Sequence, residues 1–234
     1  MALKAVYLPD LTLLENNGLI RITGDEHRHL MVGRAAPGEL VEAFDGRGEV
    51  WTVRMKTISK RESEVEVVEK RRVLPEASEL VLGMALVRPA AFELALEKAV
   101  EIGVSRVAPF LAARSNVSAP RRPERWMKIV IEAAKQSKRY CLPVVEDPVE
   151  FGRLVAFPAA TRVVLTERGG GRLPELKGGS VLYVVGPEGG WTDAELEQLR
   201  ASGFVAVSLG DGILKAETAA IVGGGLIRYA MGER

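Results

Sequence analysis

Gly186-Pro187-Glu188-Gly189-Gly190-Trp191 follows the apolar run Val181-Leu182-Tyr183-Val184-Val185. Leu209-Gly210-Asp211-Gly212-Ile213-Leu214-Lys215-Ala216-Glu217-Thr218-Ala219 follows Val205-Ala206-Val207-Ser208 in the same way. Each apolar run reads as a buried strand, and each glycine cluster as the tight turn that ends it. Two such units place two backbone loops at the carboxyl edge of one sheet, where open α/β sheets bind small ligands. The chemistry is expected there.

Outward from this stretch, strands and helices alternate. Past Leu74-Pro75-Glu76, strands are expected at 80–86, 106–110, 142–145, 162–165, 181–185 and 204–208. Helices are expected at 90–102, 123–139, from Thr192 to Ser202 and from Glu217 to about Met231, the third opened by the capping-box pattern Thr192-Asp193-Ala194-Glu195. This alternation predicts a largely parallel α/β sheet covered on both faces. Gly169-Gly170-Gly171 reads as a mobile loop. The final helix contains Gly223-Gly224-Gly225, and each interior glycine costs about 1 kcal/mol relative to alanine. Close backbone approach to another helix or to a ligand is the expected compensation.

Residues 1–73 read differently. Strands at 5–8, 19–22, 40–44, 49–58 and 63–73, separated by glycine turns, suggest a small β-barrel. His27-Arg28-His29-Leu30 begins a short helix capped by Asp25.

Composition bounds the function. At 234 residues and 47% hydrophobic content, the chain has room for one large globular domain or two modest ones. No apolar run approaches the roughly 20 residues that span a bilayer, and Pro9 breaks the N-terminal stretch too early for a signal peptide. Cys141 is the single cysteine, so an internal disulfide is excluded and a cytoplasmic setting is expected. With His27 and His29 it is too small a ligand set for zinc, and no metal is expected. Net charge is +1, yet residues 119–142 hold Arg121, Arg122, Arg125, Lys128, Lys135, Lys138 and Arg139 against only Glu124 and Glu132. Such a local excess fits either a phosphate-backbone contact or a solvated helix face. Neither glycine loop is a P-loop or a dinucleotide fingerprint. Apolar residues around Gly210 suit an adenine ring and a ribose instead.

These loops resemble those of the SPOUT class of methyltransferases. More closely, the chain is similar to the ribosomal RNA small subunit methyltransferase E family. The similarity rests on ordered blocks: His27-Arg28-His29-Leu30 with Pro37-Gly38-Glu39; Glu97-Lys98-Ala99-Val100-Glu101-Ile102-Gly103-Val104; Pro109 with Arg114-Ser115; Arg125-Trp126 through Glu132-Ala133-Ala134-Lys135-Gln136-Ser137-Lys138-Arg139 and Leu142-Pro143; then the two glycine loops. The last loop departs from the family pattern at Asp211, Gly212, Lys215 and Ala216.

The resemblance implies an α/β fold with a SPOUT-type trefoil-knotted, mostly parallel sheet over 74–234, preceded by a PUA-like β-barrel RNA-binding domain over 1–73. It implies S-adenosylmethionine-dependent methylation of N3 of a uridine in 16S rRNA of the small ribosomal subunit, by a cytoplasmic homodimer. Arg114 is the implied anion contact and Glu132 or Glu101 the implied base, with Gln136 and Arg139 positioning. The cofactor is expected at Leu165, Thr166, Gly186, Pro187, Glu188, Gly189, Gly190, Leu209, Gly210, Ile213, Leu214, Ala216 and Thr218. RNA contacts are expected from His27, Arg28, His29, Arg34, Arg121, Arg122, Arg125 and Lys128. The rival reading is a non-catalytic RNA-binding ribosome-assembly factor with a degenerate knot.

Overall fold

The computed structural model describes residues 3–117, 121–176 and 178–232; Met1 and Ala2, part of the N-terminal stretch read above, lie outside them. The chain divides into two compact units, one of residues 1–75 with 134–142, the other of residues 76–133 with 143–234.

In the first unit, β1 (Lys4–Tyr7), α1 (Leu11–Leu14), β2 (Glu15–Asn16), β3 (Leu19–Ile22), α2 (Gly24–Val32), β4 (Leu40–Phe44), β5 (Glu49–Ile58) and β6 (Ser63–Arg72) follow in order. The strands form one sheet ordered β1-β4-β5-β6-β3-β2, antiparallel except for the β1–β4 pair. In β3, Leu19 and Arg21 face solvent while Ile20 and Ile22 are buried, the period-2 pattern of a half-covered strand. Ile20, Ile22, Leu30, Val53 and Val65 share a core with Trp51. Thr23, not Asp25, is the N-cap residue of α2, and its side chain makes no capping bond. Asp25 sits in the first turn and accepts a hydrogen bond from exposed Arg28 instead. Short α1 and β2 were not anticipated, because four and two residues are too few to show a period.

The second unit holds β7 (Leu80–Ala85), α3 (Pro89–Ile102), β8 (Arg106–Leu111), α4 (Glu124–Ser137, whose last residues count with the first unit), β9 (Val144–Val145), β10 (Val149–Glu150) and α5 (Phe151–Val155). β11 (Thr161–Leu165), β12 (Val181–Val185), α6 (Asp193–Ala201), β13 (Val205–Val207) and α7 (Ala216–Ala230) complete it. Its sheet runs β10-β8-β7-β12-β11-β13, with β9 beside β8, and every recorded pairing is parallel. β7 and β12 are buried along their whole length, as a sheet covered on both faces requires. Leu182 and Val184 join Leu154, Leu199 and Phe204 on one face. Tyr183 points the other way and donates its hydroxyl to the Ala220 carbonyl of α7 at 3.2 Å.

One glycine reading is extended and one changes. A Cβ on Gly223 would stand 2.5 Å from Leu165 Cδ1, and one on Gly224 would stand 2.5 Å from the Tyr183 hydroxyl. These two glycines therefore let α7 settle onto its own sheet, and α7 packs against α3 as well, a Cβ on Gly224 standing 3.7 Å from Ile102 Cδ1. Gly225 faces open space. Gly171 is no free loop either: its N–H donates to Ala206 O at 2.9 Å and its carbonyl accepts Ser208 N–H at 3.0 Å, extending the ladder beside β13.

β12, β11 and β13 are neighbours in the sheet and run the same way. The loops that follow Leu165, Val185 and Val207 thus leave from one edge.

Candidate functional site

These three loops, with the turn before α3 and the loop after β8, surround a cavity of about 780 Å³. That volume is typical of a site for a small organic ligand. Leu165, Val185, Leu196, Leu209, Ile213 and Leu214 supply apolar surface. Charge comes from Arg88, Arg114, Arg168 and Lys215 against Glu167, Glu188 and Glu217.

The wall is shaped by close contacts that glycine permits. A Cβ on Gly186 would lie 2.9 Å from the Trp191 indole, and one on Gly189 would lie 3.1 Å from Arg114 Cβ. Trp191 stacks on Phe110 with 6.0 Å between ring centroids. Arg114 Nη1 donates to the carbonyls of Gly189 at 3.0 Å and Trp191 at 3.2 Å. Arg88 Nε donates to Glu188 Oε1 at 2.7 Å, and this bond with the Glu188 charge raises the Arg88 pKa.

One polar atom stands out. Thr166 Oγ1 is buried and has no hydrogen-bond partner among the described residues, although Thr166 lines the cavity. A buried hydroxyl left unpaired costs roughly 1–3 kcal/mol.

Of the residues expected to hold the cofactor, Leu165, Thr166, Gly186, Pro187, Glu188, Gly189, Gly190, Leu209, Gly210, Ile213, Leu214 and Ala216 all line this cavity; Thr218 does not. Of the expected catalytic residues, Arg114 lines it. Glu101 and Glu132 do not, and Glu101 accepts from Lys98 Nζ at 2.8 Å on α3. Gln136 and Arg139 belong to the first unit.

The expected RNA contacts divide further. His27 is 6% exposed, with Nδ1 2.8 Å from the buried Ser63 hydroxyl, so this histidine is a core residue of the first unit. Arg28 and Arg34 are exposed and His29 is half-buried. Arg122 turns back, its guanidinium donating to Val145 O at 2.6 Å and its backbone N–H to Asp147. Arg125 pairs with Glu93 at 2.6 Å. Arg121 and Lys128 are exposed, with no hydrogen bond or ion pair among the described residues. No metal-ligating cluster occurs among the described residues, and no helix among them is long and apolar enough to cross a membrane.

Residues 75–228 match the RNA methyltransferase domain family. A protein named ribosomal RNA small subunit methyltransferase E from Synechocystis sp. is 31% identical, the alignment covering 95% of this chain and 76% of that one. The chain belongs to the ribosomal RNA small subunit methyltransferase E family. Its namesake from Bacillus subtilis is also 31% identical, with 92% of each chain covered. The crystal structure of ribosomal RNA small subunit methyltransferase E from Neisseria gonorrhoeae, bound to S-adenosyl methionine, matches at a TM-score of 0.87 and 29% identity, over 97% of this chain and 98% of that one.

Arg88 and Trp191 are cavity residues that sequence reasoning did not assign to the site. Trp191 stood beside the quoted glycines and could have been included. Arg88 could not, because it meets Glu188 across 100 residues of sequence.

Proposed function

We propose that the chain transfers the methyl group of S-adenosylmethionine to N3 of a uridine in 16S rRNA of the small ribosomal subunit. What carries this reading is the cavity at the edge of three adjacent parallel strands, in a chain of this family. The trefoil knot, the PUA-like barrel, the division of labour between 1–73 and 74–234, and the cytoplasmic homodimer belong to the same proposal.

S-adenosylmethionine supplies an electrophilic methyl group on a sulfonium. Leu165, Leu209, Ile213 and Leu214 offer an apolar slot for its adenine, and the backbone of 186–190 and 209–212 offers hydrogen bonds to the polar edges.

N3 of uridine lies on the Watson–Crick edge, so the base must leave its pair or stack to react. The neutral nitrogen carries a proton, and removing it leaves negative charge on the flanking ring oxygens. Among the described residues Arg114 spends Nη1 on the loop carbonyls; its remaining N–H donors can hold that anion. Glu132 or Glu101 takes the proton, with Gln136 and Arg139 positioning the base. Neither glutamate lines the cavity of its own chain, so a second copy is expected to contribute here. Val222, Leu226 and Tyr229 are exposed at i, i+4 and i+7 on α7, an apolar face that such a copy would cover. The first unit, through Arg28, His29 and Arg34, and the second, through Arg121 just ahead of α4 and Lys128 within it, would hold rRNA phosphates.

Calorimetric titration with S-adenosylmethionine, with ATP and NAD as controls, tests the cofactor. Saturable binding of S-adenosylmethionine alone is expected; binding of ATP or NAD instead would overturn the reading.

A further inference from the structure

Glu195 is 6% exposed, and no basic side chain pairs with it among the described residues. Its two carboxylate oxygens serve different parts of the fold. Oε2 accepts the Thr192 N–H at 2.9 Å and the Thr192 hydroxyl at 2.8 Å, while Thr192 Oγ1 accepts the Glu195 N–H at 3.2 Å. That is the capping box of α6. The other oxygen, Oε1, is not needed for the cap. It accepts the N–H of Ala113 at 2.8 Å, across 82 residues of sequence.

Ala113 immediately precedes Arg114. On the far side, Ser115 closes the same turn: its Oγ accepts Ala112 N–H at 3.2 Å and its N–H donates to Ala112 O at 3.0 Å. The Arg114 guanidinium then reaches Gly189 O and Trp191 O, and Trp191 leads directly into Thr192. A closed circuit results, running from Glu195 through Ala113, Arg114 and Trp191 to Thr192 and back to Glu195. Hydrogen bonds to an ionised, desolvated carboxylate are among the stronger ones, and the start of α6 favours negative charge there.

We propose that Glu195 is a positioning residue for methyl transfer: its spare oxygen fixes the turn that presents Arg114 to the cavity. This rests on Arg114 acting as proposed above. Glutamine has one acceptor oxygen and an NH₂ that must face a donor, so it cannot satisfy Ala113 and Thr192 together.

The test uses the full-length protein with Glu195→Gln, Arg114→Ala and the double variant. Transfer to small subunits and S-adenosylmethionine affinity are measured, along with amide hydrogen exchange at Ala113. Glu195→Gln is expected to lower kcat roughly ten- to a hundredfold, with affinity changed by no more than about threefold. Because Glu195 acts through Arg114, the double variant is expected to be no slower than Arg114→Ala alone. A folded Glu195→Gln protein with wild-type kcat would overturn the proposal, as would losses that multiply in the double variant. If the wild type transfers no methyl group, the functional reading fails. The exchange data still decide the tie: Ala113 is expected to be protected in the wild type and to lose protection in Glu195→Gln. An Ala113 amide exchanging freely in the wild type would refute it even if the variant does not fold.

Discussion

The indole N–H of Trp191 donates to the carbonyl of Leu165 at 3.0 Å, joining the ends of two loops that line one cavity. Leu165 is the last residue of β11. Trp191→Phe would keep the stack on Phe110 but remove this donor. Such a change is expected to cost about 1 kcal/mol of stability and to weaken S-adenosylmethionine binding several-fold. Thermal unfolding and calorimetry on the same sample check both effects.

The three glycines of α7 separate by what each faces. Gly225→Ala meets open space and is expected to stabilise the protein by up to about 1 kcal/mol through helix propensity. Gly224→Ala would press a methyl group against the Tyr183 hydroxyl, which is buried and bonded to Ala220. Overpacking of this kind is expected to cost roughly 1–3 kcal/mol. Unfolding curves of the two variants should therefore move in opposite directions.

Much of the second unit was legible because its strands are short apolar runs ended by glycine, and the strand expected at 181–185 matches β12. The same signal brought most of the cofactor candidates to one cavity. What stayed hidden was chemistry made by distant pairing. Nothing local tells that Arg88 meets Glu188, or that Ala113 meets Glu195. His27 could be read from its motif as RNA-facing or as structural, and only the fold shows Ser63 giving it a partner in the core. Gly169–Gly171 misled for a related reason, since a glycine run signals conformational freedom and not the ladder bonds that use it up.

Arg114 is the cavity residue whose removal should most affect transfer without emptying the cofactor slot. Arg114→Ala is expected to lower kcat roughly a hundredfold or more, the usual size of a lost anion-stabilising donor. S-adenosylmethionine affinity should fall far less. Steady-state transfer kinetics alongside binding isotherms would show the split.

Acid should loosen the first unit through Glu42. Burial pushes this carboxyl up, but hydrogen bonds from Tyr140, Lys138 and Arg71 outweigh it and hold the pKa below the ordinary carboxylate value. A depressed folded-state pKa means the stabilisation is fully present above the unfolded value. It is lost as pH falls through the folded one. Glu42→Gln is therefore expected to destabilise the protein at pH 7, and the gap to wild type should narrow below about pH 4. Unfolding followed across that range would show the convergence.

The exposed cations Arg121, just ahead of α4, and Lys128, within it, make a separable prediction. Lys128→Glu and Arg121→Glu are expected to weaken rRNA binding, and each should flatten the salt dependence by about one counterion. Arg122→Glu should instead act mainly on stability, because Arg122 is bonded to Val145 and Asp147.

The most direct test of the whole account is methyl transfer itself. Purified protein is incubated with small ribosomal subunits lacking the modification and with methyl-labelled S-adenosylmethionine, and the rRNA is digested to nucleosides. The account predicts label in 3-methyluridine, appearing roughly a hundredfold or more slowly with Arg114→Ala. Label in a different nucleoside, or none from a folded protein that binds S-adenosylmethionine, would contradict it.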